Sequence, residues 1–88
     1  MRSWRTKQFK KLYAALPADI QRQADDVYRL WKQDPHHPSL HFKNIESIGP
    51  MVYSVRIGGR YRAIGNYEPN GDFLWQWIGS HQDYNNLV

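Results

Sequence analysis

The sequence predicts an α+β fold in which an N-terminal helical hairpin packs on one face of a small twisted, mainly antiparallel β-sheet. Two observations predict this class. Apolar residues recur at helical spacing before Pro35, whereas the rest of the chain alternates between strand-like runs and glycine-containing turns. With 88 residues, the chain is expected to form one domain, residues 1–88, around one core.

Two helices are predicted in the first part of the chain. The first follows Thr6, a favoured N-cap residue, and Pro17 ends it. Pro17 also opens the second helix, which carries Asp19 in its first turn and ends at Asp34. Met1–Arg5 is interpreted as a brief edge strand. The apolar stripes expected to face the core are Phe9, Leu12, Tyr13 and Leu16, then Ile20, Ala24, Val27, Tyr28 and Trp31.

Strands are predicted in the second part of the chain. Leu40–Ile45 alternates well enough for a strand, and Ile48–Pro50 turns the chain into the hairpin Met51–Gly65. Glu68–Asp72 is a strong turn signal, after which Phe73–Ile78 forms the last strand, apolar on both faces. The tryptophans at core spacing are Trp31, Trp75 and Trp77.

The register of the hairpin follows from which side chains must be buried. A two-residue turn at Gly58–Gly59 would mix apolar and charged residues on both faces, whereas a three-residue loop, Gly58–Arg60, separates them. In that register Arg56 lies opposite Arg62. The inward residues are then Tyr53, Val55, Ile57, Tyr61 and Ala63, and the outward residues are Ser54, Arg56 and Arg62.

The predicted register places two arginines side by side. Like charges directly opposite each other on a strand pair destabilise a sheet. Such a pair is tolerated where the site binds an anion, and phosphate matches the planar fork of the guanidinium group. Arg56 and Arg62 are therefore the first candidate site residues.

Composition narrows the function classes. The net charge of +4 and the pI of about 9.6 favour polyanionic partners such as nucleic acid. The absence of cysteine excludes disulfides and thiolate metal sites and is compatible with a cytoplasmic location. No apolar run approaches the ~20 residues of a membrane span, and no signal-peptide pattern opens the chain. No nucleotide-binding loop is found, so no cofactor is expected.

Metal binding is not expected either. His36, His37 and His41 lie close together in sequence, but no metal-binding motif or second-shell pattern accompanies them. We expect a solvated loop at these histidines.

Four residues have the chemistry that metal-free RNA cleavage requires: Arg56, Arg62, His81 and Tyr84. The reaction needs a base for the ribose 2′-hydroxyl, cations around the phosphate and an acid for the leaving 5′-oxygen. Histidine suits proton transfer and arginine holds phosphate oxygens, while tyrosine can stack on a base or join in proton transfer. A histidine followed by a tyrosine three residues later can equally be packing at the start of a helix, so these residues alone leave catalysis open.

The order of elements and four segments resemble the RelE/ParE superfamily of bacterial toxins. The segments are LPADIQRQA, DPHHPSLHFKNI, YSVRIGGRYRAIG and WQWIGSHQDYNNL, and the resemblance extends from Phe9 to Leu87. It implies a RelE-like fold and a toxin of a two-gene toxin–antitoxin module, held inactive in a hetero-oligomer with a cognate antitoxin. The RelE branch, which includes HigB-like toxins, cuts mRNA in the ribosomal A site without a metal, whereas the ParE branch inhibits DNA gyrase.

The resemblance also assigns roles to individual positions. Arg62 matches the phosphate-binding arginine of the RelE branch, Arg56 a basic residue on the preceding strand, His81 the proposed general acid and Tyr84 the tyrosine that follows. Ser54 departs from the lysine of some RelE toxins, and a long C-terminal helix of some relatives is not expected. The general base stays unassigned between His41 and Glu46, and the residues expected to contact RNA are Lys7, Lys10, Lys11 and Lys43.

Three functions follow as hypotheses. The first is a ribosome-dependent endoribonuclease that binds mRNA in the A site of the small subunit and stops translation. The second is a non-catalytic, ParE-like gyrase inhibitor, and the third is an inactive relative that only binds RNA or antitoxin. The antitoxin is expected to cover the basic face or to add a strand at an exposed sheet edge.

Overall fold

Five strands and three helices form the protein in a computed structural model that describes residues 1–88. The strands and helices, in chain order, are β1 Ser3–Arg5, α1 Lys7–Ala14, α2 Ala18–Gln33, β2 Lys43–Asn44, β3 Val52–Ile57, β4 Tyr61–Tyr67, β5 Phe73–Ser80 and α3 His81–Leu87. The strand order is β1-β5-β4-β3-β2, with β1 parallel to β5 and all other pairs antiparallel. The predicted α+β class is confirmed.

The two N-terminal helices begin and end where the sequence predicts. The Thr6 side chain accepts a hydrogen bond from the Phe9 amide at 3.1 Å, which caps α1. Pro17 directly precedes α2, and the Asp34 amide closes its last turn on the Leu30 carbonyl. A hydrogen bond from the Tyr13 hydroxyl to Asp25, 2.8 Å long, joins the two helices. It also raises the pKa of Tyr13, with a further contribution from burial.

The core lies between the two helices and the inner face of the sheet. Trp31 of α2 is fully buried, and its ring lies 5.0 Å from the rings of both Phe73 and Trp75 on β5. Val55 and Ala63 complete this layer from the hairpin. Four of the ten residues in the buried core are aromatic, and truncation of Trp31 to alanine is expected to cost about 3–5 kcal/mol.

The hairpin has the predicted register. Ile57 pairs with Tyr61, Arg56 with Arg62 and Val55 with Ala63, around the loop Gly58–Arg60. Gly58 has φ of +57°, a left-handed conformation that favours glycine. The inward set packs against the core and the arginines face away from it, as burial requires.

The predicted strand Leu40–Ile45 is wrong for most of its length. Only Lys43–Asn44 pairs with β3, while Pro38–Leu40 forms a 3₁₀ turn. The His37 imidazole accepts from the Ser39 amide at 3.2 Å and so stabilises this turn, and His41 follows with φ of +47°. Local capping therefore competes successfully with the alternating apolar pattern.

Strand β5 contains an irregularity that alternation does not predict. Gly65 pairs with Trp75 and Ile64 with Trp77, so Gln76 is an extra residue, a β-bulge. The bulge leaves Trp75 buried in the core and turns Trp77 to the other face of the sheet, where it is half-buried. Two tryptophans expected together in the core therefore lie on opposite faces.

None of the helices combines the length and the apolar character that a membrane-spanning helix needs.

Candidate functional site

The candidate site lies on the outer face, which we define as the face of the sheet turned away from α1 and α2. The residues that the strand register places on the outer face are Trp4, Lys43, Val52, Ser54, Arg56, Arg62, Ile64, Asn66, Leu74, Gln76 and Trp77. Helix α3 covers one part of this face beside the two arginines. The predicted arginine pair and the two residues after β5 therefore meet in space.

Arg62 is the centre of this arrangement. The Nε and Nη1 atoms of its guanidinium group are buried and have no hydrogen-bond partner. Its Cζ atom lies 5.2 Å from the centroid of the Tyr84 ring, a cation–π contact. Buried donors without acceptors are rare because each costs about 1–3 kcal/mol. The Arg62 guanidinium is thus packed on the Tyr84 ring, with two donors that lack acceptors and are closed to solvent.

Arg56 lies opposite Arg62 on the neighbouring strand and is exposed. Its Nε donates to the Gly58 carbonyl at 2.8 Å, which holds the side chain toward the hairpin loop. Its Nη1 lies 3.5 Å from Nε2 of His41. One candidate general base therefore lies at the arginine pair.

Helix α3 brings His81 and Tyr84 to the site. Ser80 caps the helix by accepting from the Asp83 amide at 3.1 Å, and the His81 amide donates to the Arg60 carbonyl at 2.6 Å. The rings of His81 and Tyr84 are 5.9 Å apart. The residues after β5 therefore form a short helix that is tied to the hairpin loop.

Ser54 and Trp77 line the same region. Ser54 is fully buried, and its Oγ lies 3.4 Å from the Tyr84 hydroxyl. Trp77 follows the bulge, and its ring packs against Gly79, the residue paired with Arg62. A Cβ atom on Gly79 would lie 2.6 Å from Cζ2 of the indole. The glycine thus makes room for the ring beside the arginine.

The other candidate residues lie farther apart. Lys43 is exposed and paired with Ser54, so it belongs to the outer face. Glu46 is exposed in the turn after β2 and forms neither a hydrogen bond nor an ion pair through its side chain. The three predicted RNA-contacting lysines Lys7, Lys10 and Lys11 are exposed on α1, in the helical layer on the other side of the sheet. Contact of these three lysines with RNA stays a prediction. It requires that RNA also contacts the helical layer, on the opposite side of the sheet from the arginine pair.

No group of three or more side chains is arranged to hold a metal ion. The two guanidinium groups can bind an anion, and imidazole groups lie at two positions near them. Proton transfer to and from a phosphate ester is within the reach of these groups.

Comparison with known proteins places this chain in a family. Residues 18–86 match the family model of the ParE-like toxin domain. The chain belongs to this family. No curated protein matches the chain by sequence. The family model begins at α2 of this ParE-like toxin domain and includes the hairpin, β5 and α3.

Solved structures agree with the fold of this ParE-like toxin domain. It is similar to a chain of the RelB–RelE antitoxin–toxin complex from Methanococcus jannaschii, with 14% identity, a TM-score of 0.74 and coverage of 97% of this chain and 98% of that chain. It is also similar to the YoeB/ParE toxin from Agrobacterium tumefaciens, with 15% identity, a TM-score of 0.73 and coverage of 92% of this chain and 99% of that chain. A third similar structure is a chain of the archaeal RelE–RelB complex from Pyrococcus horikoshii, with 20% identity, a TM-score of 0.71 and coverage of 90% of this chain and 92% of that chain.

Sequence reasoning missed two features of this ParE-like toxin domain. Helix α3 has a visible signal, because Ser80 followed by Asp83 forms an N-terminal capping pattern. Asn85, whose amide lies 3.2 Å from Nδ1 of His81, would then have been predicted on the same helical face, one turn further on. No sequence signal predicts that Trp77 lies on the outer face, because its side-chain direction depends on the bulge at Gln76.

Proposed function

We propose that this ParE-like toxin domain is the toxin of a toxin–antitoxin module and acts as a ribosome-dependent, metal-free endoribonuclease of the RelE and HigB type. The observation that carries the proposal is Arg62, whose buried Nε and Nη1 lack any acceptor beside a second arginine. Because both atoms are closed to solvent, a phosphate of mRNA in the A site would supply the missing acceptors once the Arg62 side chain turns toward it. Gyrase inhibition through a protein interface does not require such a pair.

The proposed reaction uses the residues at this site in the following way. Arg56 and Arg62 bind the non-bridging oxygens of the scissile phosphate and stabilise the charge that develops there. A base removes the proton of the ribose 2′-hydroxyl, and the 2′-oxygen forms a bond to phosphorus. The bond from phosphorus to the 5′-oxygen then breaks, and His81 supplies the proton that the leaving oxygen needs. Tyr84 keeps Arg62 in place.

We propose His41 as the base, in preference to Glu46. The Nε2 atom of His41 faces Arg56, whereas the carboxylate of Glu46 has no contact with the arginine pair. When Arg56 turns to a phosphate, Nε2 becomes free to accept a proton.

The partners follow from the same proposal. A cognate antitoxin would hold the toxin inactive in the cytoplasm, by analogy with the RelB–RelE complexes to which the fold is similar. The unpaired outer edge of β3 beyond the two residues that β2 covers offers a place for an added strand.

The experiment is induction of the wild type, Arg62→Ala and His81→Ala in a bacterium, with primer-extension mapping of mRNA ends. We expect cuts inside translated codons in the wild type and their loss in both variants. Arg60→Ala is the matched control, because Arg60 lies in the same hairpin but is exposed and contributes only its carbonyl to the site. Cuts that persist in Arg62→Ala at equal protein abundance would contradict the proposal.

The free energy of unfolding of an Arg62 variant shows whether this arginine serves the function or the stability of the fold. Arg62→Met removes two buried donors that lack acceptors, so we expect the free energy of unfolding to stay equal or to rise while activity is lost. Urea unfolding measures this. A loss of more than about 2 kcal/mol would mean that Arg62 supports the fold.

The second candidate is gyrase inhibition, which the matching ParE-like family model favours. Growth arrest with intact mRNA, inhibition of DNA supercoiling by the purified protein and full potency of Arg62→Ala would together establish it. Absence of any arrest would leave the third hypothesis, an inactive relative.

A further inference from the structure

Besides Trp77, the outer face carries the aromatic residue Trp4, which is open to solvent and lies away from the arginine pair. Trp4 on β1 is 50% exposed, whereas Trp31 and Trp75 are buried and Trp77 is half-buried. The guanidinium carbon of Arg2 lies 5.0 Å from the centroid of the Trp4 ring. An exposed indole with a cation at its ring has the two features that single-stranded nucleic acid uses, a stacking surface and a positive charge.

The strand register places Trp4 on the same face as the proposed active site. Trp4 pairs with Leu74, whose neighbours Phe73 and Trp75 point into the core, so Trp4 and Leu74 point outward. Two strand spacings and about four residues along β5 separate Trp4 from Arg62, which gives a Cα–Cα distance of about 17 Å. A few nucleotides of extended RNA cover such a distance.

The surface between the two positions carries no negative charge. Leu74 and Asn66 form a cross-strand pair, and the Gln76 amide donates to Asn66 at 2.8 Å. Asp72, the carboxylate closest in sequence to this surface, accepts hydrogen bonds from the Arg2 amide and from Asn70 at the end of the strand. A phosphate backbone that crosses β5 therefore meets neutral amides and apolar atoms.

We infer that Trp4, with Arg2, is a base-stacking site for single-stranded RNA. The inference rests on the proposed function and extends it, because a base a few nucleotides from the phosphate at Arg62 would stack on Trp4. Arg2 would bind a phosphate next to that base. The positive charge beside the ring and the net charge of +4 favour RNA over an acidic or neutral protein surface as the occupant.

The test measures binding of a labelled single-stranded RNA of about ten nucleotides to the purified full-length protein by fluorescence anisotropy, without ribosomes. Trp4→Ala is expected to weaken binding about tenfold and Trp4→Phe less than about threefold, because a phenyl ring still stacks. Ile48→Ala is the control. Ile48 is 48% exposed in the turn after β2, at the edge of the sheet opposite β1, so the RNA affinity of this variant should equal that of the wild type.

Salt dependence assigns separate roles to the two residues. Loss of the phosphate contact in Arg2→Ala should reduce the slope of log affinity against log salt concentration by about 0.7, the value for one phosphate of a single strand. Trp4→Ala should lower affinity by the same factor at every salt concentration. Tryptophan emission gives an independent reading, since RNA should quench the wild type more than Trp4→Phe.

Equal RNA affinity of the wild type and Trp4→Ala would overturn the inference and leave Trp4 as a surface for a protein partner. So would quenching that persists unchanged in Trp4→Phe. These outcomes are independent of cleavage. If Trp4→Ala loses RNA affinity while the wild type leaves mRNA uncut in cells, the stacking site stands and the proposed nuclease activity fails.

Discussion

Arg62 combines two properties that rarely occur together. Its guanidinium group is partly withdrawn from water and held by the Tyr84 ring, yet Nε and Nη1 have no acceptor. Withdrawal from water strengthens the interaction with any anion that arrives, because the local dielectric constant is lower than that of the solvent. The two unpaired donors therefore reduce the stability of the protein as it stands, and the proposed phosphate would relieve this cost.

Tyr84 provides a test at the scale of one residue. If its ring positions Arg62, Tyr84→Phe should keep cleavage within about threefold of the wild type, and Tyr84→Leu should reduce it about tenfold or more, as expected for loss of a partly desolvated cation–π contact. Rates of A-site cleavage in a purified translation system measure this. A large loss in Tyr84→Phe would instead assign the hydroxyl a role in proton transfer.

At this scale the sequence predicts the arginine pair but not its surroundings. The register of Arg56 and Arg62 follows from burial of their neighbours in sequence, which is local information. The unpaired state of the Arg62 donors and the contact of His41 with Arg56 depend on residues that come from other elements. No pattern within the hairpin encodes them.

The bulge in β5 matters most at the scale of the elements. It allows one strand to contribute Trp75 to the core and Trp77 to the outer face. Alternation predicts the same face for these two residues, and that expectation fails because one extra residue changes the phase. Helix and strand positions elsewhere follow from capping residues and periodicity, which are strong in this sequence.

Gly79 tests whether Trp77 packs beside Arg62. Gly79→Ala places a methyl group against the indole, so we expect a loss of about 1–3 kcal/mol in unfolding free energy and reduced cleavage. In a Trp77→Leu background the same substitution should cost less than about 0.5 kcal/mol. Urea titration of the four proteins in this double-mutant cycle gives the coupling. Additive effects would show that the ring lies elsewhere.

The junction of α1 and α2 predicts a dependence on pH. The hydrogen bond to Asp25 and burial raise the pKa of Tyr13 above its ordinary value of about 10. The unfolded chain therefore loses this proton first, and the contribution to stability is complete below about pH 10 and falls as the pH rises through the higher folded value.

Tyr13→Phe removes this titration. We expect the variant to lose about 0.5–1 kcal/mol at neutral pH, where the hydrogen bond is intact, and to differ less from the wild type in alkaline solution. Urea unfolding between neutral and alkaline pH measures the difference. A constant difference across that range would exclude a contribution from ionisation of Tyr13.

The whole molecule has two layers with different tasks. The layer formed by α1, α2 and the inner face of the sheet contains nearly all of the buried aromatic side chains. The outer face carries the arginine pair, Lys43 and Trp4. Stability therefore comes mainly from one side of the sheet and the proposed chemistry from the other, so outer-face residues can change without loss of the core.

This division predicts unequal roles for the lysines. Lys43→Gln on the outer face should raise the KM of A-site cleavage severalfold. Lys10→Gln on α1 should leave it within about twofold, because the sheet separates α1 from the arginines. Cleavage kinetics at two salt concentrations measure both. An equal effect of Lys10→Gln would show that ribosomal RNA also contacts the helical layer.

The extra residue in β5 has a consequence for how the gene can change. Loss of the Gln76 codon would leave Trp75 opposite Gly65 and Trp77 opposite Ile64, because the bulge residue has no partner of its own. Loss of the Trp77 codon would also remove the bulge and keep Ile78 opposite Ala63, but it would place Gln76 opposite Ile64 and so remove the indole that packs against Gly79. We therefore expect relatives of this toxin to accept a deletion within the bulge, at Gln76 or Trp77, and to reject deletions from Ile78 onward, where the inward-facing residue would change.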